Sequence, residues 1–264
     1  MNINKRRSFI TGIKSTKLST KEKYFLIKYQ PWGVILFSRN IKSITQTKKL
    51  TNEIKKTFND KFYPILIDQE GGRVNRLKNL FNTSTPTGEY FGNLYLKDKK
   101  NFNNHYETFI NKTSQILRSI GININTVPVL DLRIKGSSNI IGDRSFSNNS
   151  KIVSKVGNFC IKTFHNNNIA SVIKHIPGHG LAKVDSHLLT PRIYAKYSHL
   201  IKNDFTAFKD KKSMLAMTAH IIYKSIDPLN TATHSKKIIC LIRDKIKFKN
   251  ILMSDDISMK SLKY

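Results

Sequence analysis

The chain has 264 residues and 39% hydrophobic content, enough to bury a sizeable core, which excludes disorder as its main state. Its 46 Lys plus Arg against 17 Asp plus Glu give a net charge of +29, which favours loose association with any polyanion. The basic residues are spread along the whole chain and accompany no zinc-finger, helix-turn-helix or RNA-recognition signature, so no specific nucleic-acid partner is expected.

Short apolar runs rich in β-branched residues recur in order: "SFITGI", "WGVILFS", "YPILIDQ", "ININTVPVLDL", "IASVIKH", "MLAMTAHIIY" and "KNILMSDD". Helical patterns lie between them. Ile44, Leu50, Ile54 and Phe58 fall mainly at helical spacing, a second pattern runs from Tyr106 through Ile110 and Leu117 to a stop at Gly121, and a third uses Ile152, Val156, Phe159 and Cys160. Cys160 and Cys240 both sit in such patterns and read as buried free thiols, and a disulfide-built fold is excluded. Strand then helix, repeated about seven times with nearly continuous apolar strands, predicts an α/β fold with a parallel sheet covered by helices. The N-terminus lacks the apolar core of a signal peptide, and no run reaches the ~18 apolar residues of a membrane span, so a cytoplasmic protein without a membrane span is expected.

A doubly wound sheet and a barrel share this alternation, and the position of the polar residues separates them. Asp68 closes the third strand, Asp131 the fourth, Lys174 and His175 the fifth, His220 the sixth and Asp255 the seventh. That distribution is how a barrel builds a site at its C-terminal face. No Gly-rich phosphate loop follows the first strand, which disfavours a dinucleotide-binding domain. No linker stands out, and residues 1–264 read as a single domain.

Candidate chemistry concentrates in "VIKHIPGHGLAKVDSHLLTP", which holds His175, His179 and His187. His175 and His179 are four apart, but Pro177, Gly178 and Gly180 break the helix that would put both imidazoles on one face, so neither a metal nor another cofactor is predicted. In an extended loop, residues two apart point the same way. Asp185 can then lie beside His187 and stabilise its charged form, and an imidazole titrating near ~6.5 can give and take a proton at neutral pH. In "LIDQEGGRVNRL", Asp68 at a strand end precedes Gly71 and Gly72, where backbone can approach a ligand closely, and Arg76 adds a fork of donors. In "MSDDISM", Asp255 directly after an apolar strand is placed to act as a nucleophile, while Asp256 reads as a helix-start acid.

The blocks "GVILFSRN", "IDQEGGRVNRL", "PVLDL", "IGDRSFS", "KHIPGHG", "DSH", "TAHIIY" and "SDDISM", in this order, resemble the cytoplasmic β-N-acetylglucosaminidases of glycoside hydrolase family 3. The resemblance runs from about Phe9 to Met259. It implies a TIM (β/α)8-type barrel acting on a small-molecule carbohydrate, a terminal N-acetylglucosamine on muropeptide fragments of the 1,6-anhydro-N-acetylmuramic acid type, in peptidoglycan recycling. It further implies a retaining mechanism in a monomer. Asp255 would form a covalent glycosyl-enzyme, His187 assisted by Asp185 would be the acid/base, and Asp68, Arg76, Arg144, Lys174 and His175 would hold the sugar.

The chain reaches Tyr264 inside the helix expected after the seventh strand. A closed barrel needs an eighth strand and helix, about 30 residues more, so that unit is expected to be missing and the flanking strands to present open edges. Two other readings stand beside the glucosaminidase: a β-glucosidase of the same family, against which the Asp185/His187 pair argues, and an inactive truncated barrel whose positive surface binds polyanions non-specifically.

Overall fold

The computed structural model describes residues 6–81, 84–186 and 189–262. Its strands are β1 (Arg7–Gly12), β2 (Pro31–Leu36), β3 (Ile65–Ile67), β4 (Ile124–Asn125), β5 (Ala170–Ile176), β6 (Arg192–Ile193), β7 (Leu215–Thr218), β8 (Ile222–Tyr223) and β9 (Ile251–Ser254). The helices are α1 (Thr20–Tyr29), α2 (Ile44–Thr57), α3 (Gly88–Lys97), α4 (Lys99–Ser119), α5 (Ser150–Asn166), α6 (Tyr197–Lys202) and α7 (Lys236–Asp244). Seven strands form one sheet in the order β1-β2-β3-β4-β5-β7-β9, and every neighbouring pair is parallel. Parallel neighbours need long crossovers, and at least one helix lies in each. All seven apolar runs marked by the sequence contribute a strand to this sheet.

The two faces of the sheet are chemically distinct because side chains alternate along each strand. One face carries Val34, Leu36, Ile65, Ile67, Ile173 and Ala216 into the main core, where they meet Leu50 and Ile54 of α2, Ile110 and Leu117 of α4 and Val153 and Val156 of α5. The opposite face carries a smaller cluster built from strand residues, with Leu66, Ile124, Val172, Leu215 and Met217 at its centre and Ile10, Ile35 and Met253 packed against it. Register aligns these across the sheet: Leu66 faces Ile124, Val172 faces Leu215, and Met217 faces Met253. This is the architecture of a (β/α)8-type barrel over seven strands, a curled half-barrel with a filled interior. Among the described residues no strand joins β9 to β1, so both present an edge, as expected for a barrel without its eighth unit. No helix among them is long and apolar enough to cross a membrane.

Side-chain caps start the long helices. Ser43 accepts from the Gln46 amide at α2, Asp98 from Lys100 and Asn101 at α4, and Asn149 from Lys151 at α5, each cap contributing about 1 kcal/mol. Three sequence expectations need correction. Ile44 opens α2 but is 48% exposed, and the buried stripe of that helix is Thr47, Leu50, Thr51 and Ile54. Cys160 is buried, and burial pushes its thiol up to about 12, but Cys240 lies on the exposed side of α7. The run "MLAMTAHIIY" is two strands. After Ala219, whose N–H still donates to Ile176 O, the chain changes partner: Ile222 N–H donates to Pro191 O and Lys224 N–H to Ile193 O, pairing β8 with β6.

Candidate functional site

The interior-facing alternation positions the site. Leu66, Ile124, Val172 and Met253 point into the half-barrel, and two residues further on each chain come Asp68, Thr126, Lys174 and Asp255. Because all the strands are parallel, these four are the next rung on the same face at the same C-terminal rim. The β5–β7 register shifts between Lys174 and Ile176, and both Lys174 and His175 reach groups at that rim.

Lys174 is 2% exposed and its ammonium contacts two carboxylates, Asp68 and, at 2.6 Å, Glu70. Arg144 grips Glu70 with a bidentate pair, Nε to Oε2 at 2.8 Å and Nη2 to Oε1 at 2.7 Å. Arg76 Nη2 donates to Asp68 Oδ2 at 2.9 Å, and the Thr126 hydroxyl donates to Asp68 Oδ1 at 2.8 Å. Burial alone would raise the pKa of Asp68, but the charges of Lys174, Arg76 and Arg144 outweigh it and hold the carboxyl well below its ordinary range. Glu70 is likewise held low against its burial by Arg144 and Lys174. Both acids are therefore anionic acceptors, suited to sugar hydroxyls. Gly71 has φ +107°, and a Cβ there would lie 2.4 Å from Pro86 O. The close approach it permits is thus to the chain's own backbone, while the Gly71–Val74 pairing and the Arg76 amide bond to Gln69 Oε1 turn the chain so that Arg76 meets Asp68.

A second set surrounds His175. Asp131 is fully buried and accepts from the amides of His175 and His179 and, at 2.6 Å, from His175 Nδ1. Burial would raise its pKa, but His175 in front of it, then His179 and its amide, lower it. With Nδ1 claimed by Asp131, His175 turns Nε2 outward, 4.0 Å from Asp255 Oδ2. The other oxygen of Asp255 accepts the Asp256 amide at 2.8 Å, and its side chain is 25% exposed. Asp256 accepts from the amide and hydroxyl of Ser258 and so caps the following turn, the helix-start role read from sequence.

His179 is 3% exposed, its Nε2 lies 3.1 Å from Ser186 Oγ, and burial first, then the neighbouring His175, lower its pKa to about 4. A neutral ring tied to Ser186 staples the two ends of the 179–186 loop. Asp185 is half-buried on that loop and its carbonyl accepts from the Leu189 amide. His187 lies outside the described residues. Among those described, no group of three or more His, Cys, Asp or Glu side chains could hold a metal ion.

The structure thus gathers Asp68, Arg76, Arg144, Lys174, His175 and Asp255 at one rim. It adds Glu70 and Thr126, to which the sequence reading gave no role, and gives Asp131, read from sequence only as a strand-end polar residue of the rim, the task of holding His175. A second acid two residues past Asp68 was the available signal for Glu70.

Asp204 packs against Gly178 and Gly180, next to Asp131. It is 2% exposed, a Cβ on Gly178 would lie 3.0 Å from its own Cβ, and neither of its carboxyl oxygens has a hydrogen-bond partner among the described residues. Burial, with the charge of Asp131 beside it, raises its pKa from 3.8 to about 6. The folded state therefore holds this proton more tightly than the unfolded state. Stability is unaffected below pH 3.8, falls as pH rises towards 6 and is lower by about 3 kcal/mol above it. Asp204→Asn should remove that dependence. Unfolding free energies measured from pH 4 to pH 7.5 should show the variant gaining on the native protein as pH rises, and a constant difference would count against the argument.

The chain matches the glycosyl hydrolase family 3 N-terminal domain over residues 7–264. It is 32% identical over 262 residues to a β-hexosaminidase of Neisseria meningitidis serogroup B, covering 97% of this chain and 71% of that protein. Among solved structures it resembles native NagZ from Neisseria gonorrhoeae, with a TM-score of 0.89 at 31% identity over 97% of this chain and 75% of that one. NagZ from the same organism in complex with N-trifluoroacetyl-D-glucosamine gives 0.84 at 30% identity, over 97% and 76%. On the match to the family domain and on these relatives, the chain belongs to glycosyl hydrolase family 3 and is a glycoside hydrolase of the β-hexosaminidase kind.

Proposed function

We propose that residues 1–264 form a single catalytic unit, a retaining exo-β-N-acetylglucosaminidase that removes terminal N-acetylglucosamine from muropeptide fragments during peptidoglycan recycling. The observation that carries this reading is the rim itself. A carboxylate, Asp255, faces the ion-paired cluster of Asp68, Arg76, Arg144, Lys174 and His175, and the 179–186 loop that carries Asp185 is stapled beside them by His179 and Ser186. Asp68 and Arg76, the more exposed pair, take the sugar hydroxyls, while Lys174 and Arg144 fix the acids that receive them. His175 borders the anomeric centre.

In the first step an Asp255 oxygen attacks the anomeric carbon, the bond to the aglycone oxygen breaks, and His187, oriented by Asp185, gives that oxygen its proton. In the second, water attacks the same carbon, His187 takes its proton back and Asp255 leaves as carboxylate. Two displacements retain the β configuration. The residues need no resident cofactor for these steps, and the reaction is that of a cytoplasmic monomer on a small soluble substrate.

Incubation with an aryl N-acetyl-β-glucosaminide is expected to release the aglycone, with β-N-acetylglucosamine as the first-formed anomer by proton NMR. The matching aryl β-glucoside should turn over at least about 100-fold more slowly. Folded protein that releases no aglycone, or that prefers the glucoside, would overturn the reading.

A further inference from the structure

His220 lies between β7 and β8 and is 1% exposed. Its Nε2 is 3.1 Å from the carbonyl oxygen of Asp256, and its Nδ1 is 2.7 Å from Thr233 Oγ1. Thr233 Oγ1 is in turn 2.8 Å from Thr218 Oγ1, at the end of β7. A carbonyl oxygen only accepts, so Nε2 must carry the ring hydrogen. Burial lowers the pKa of this imidazole despite the nearby Asp255, so the ring has one hydrogen, and Nδ1 accepts from Thr233. Thr233, having given its hydrogen to the ring, accepts from Thr218. The donors therefore run in one direction, Thr218 to Thr233 to His220 to the Asp256 carbonyl.

The far end of this chain matters because of what Asp256 does for its neighbour. Its amide donates to Asp255 Oδ1 at 2.8 Å, and its carbonyl also receives the Met259 amide at 3.1 Å. The peptide groups on both sides of Asp256 are thus committed, one to the carboxylate and one to the buried ring. Asp255 itself is a quarter exposed and follows β9, which among the described residues pairs with β7 alone, so within them the ladder holds it from one side.

We infer that His220 is a positioning residue: with Thr233 it clasps the Asp256 carbonyl and thereby fixes the orientation of the Asp255 carboxylate from the buried side. This rests on the reading of Asp255 as the nucleophile. A clasp of this kind acts on the approach of the attacking oxygen and not on sugar binding, so its loss is read in kcat.

His220→Phe keeps the ring volume and removes the donor. It should lower kcat for an aryl N-acetyl-β-glucosaminide by about 10- to 100-fold with KM within about twofold. His220→Gln, which returns an N–H near the Nε2 position, should recover most of that loss. Independently of activity, backbone amides at Asp256 and Met259 should exchange with deuterium at least about tenfold faster in the Phe variant, with Leu252 and Met253 unchanged. Equal losses in the Phe and Gln variants, a fall carried by KM, or unchanged exchange at 256–259 would each overturn the inference. If the native protein releases no aglycone, the catalytic reading fails, and the exchange measurement still decides whether the clasp exists.

Discussion

Asp255→Ala is expected to reduce kcat by about 10⁴-fold or more, some 5 kcal/mol of transition-state stabilisation, while leaving the fold in place. The two halves of this expectation have separate grounds. The carboxylate supplies the only atom that bonds to the anomeric carbon in the proposed first step, so its removal leaves water to attack without covalent assistance. The fold survives because the side chain is a quarter exposed and, among the described residues, its hydrogen bond is to the adjacent amide. Its loss should cost no more than about 1 kcal/mol, and thermal melts should agree within about 3 °C. Azide, a small anion able to enter the space left by the carboxylate, should restore part of the turnover and yield the α-glycosyl azide, because a single displacement inverts the centre. Turnover above a hundredth of native, or a β-configured azide product, would show that another group attacks.

Lys174→Met is the second large effect, and it falls on stability as well as activity. The ammonium is 2% exposed and lies between Asp68 and Glu70, with one hydrogen also directed to Thr126 at 3.3 Å. Methionine fills the channel of the stem but leaves two buried acids with two guanidiniums where three cations stood. Breaking one side of a buried charge network costs about 3–5 kcal/mol, a fall of about 10 °C in the melting temperature. The pH dependence has a definite sign. Asp68 and Glu70 have folded-state pKa values below their ordinary 3.8 and 4.5, so their stabilising contribution is fully present above that range and is lost as pH falls through it. Removing Lys174 lets both values rise, so acid unfolding of the variant should begin at a higher pH than that of the native protein. A circular-dichroism titration checks this, and an unchanged acid midpoint would mean that Lys174 does not hold the two acids down. Activity should be lost along with it, since Asp68 is the acid proposed to receive the sugar.

The sheet was legible in the sequence because each strand is a short apolar run with a polar residue at one end. The same alternation that makes Leu66 and Val172 interior makes Asp68 and Lys174 the next interior positions, whereas Arg76 and Arg144, which lie in loops and turns, were legible only through the family motifs that contain them. What escaped depends on contacts between distant segments. Glu70 is unremarkable until Arg144, 74 residues away, closes on it. The break in 215–223 is invisible in an apolar run because it arises from a change of pairing partner at 192–193. The exposure of Cys240 turns on which side of α7 faces the core, and a helix with Ile238, Leu241 and Ile242 buried leaves Cys240 outside. The start of helix α1 carries a local signal of its own: Ser19 and Glu22 form a reciprocal capping box, and Ser-x-x-Glu is its signature.

The ion pair between Lys174 and Asp68 spans 106 residues of sequence. Closing so long a span is entropically demanding, and in an all-parallel sheet no shorter hairpin can prepare it. A partly folded chain that holds most of its helices and the local Arg76–Asp68 pair still lacks the contacts of Lys174 and Arg144 with the two acids. The rim therefore records the history of assembly: its chemistry exists only once strands from the first half of the chain have met those from the second, so catalytic competence is a property of the finished topology and not of any segment.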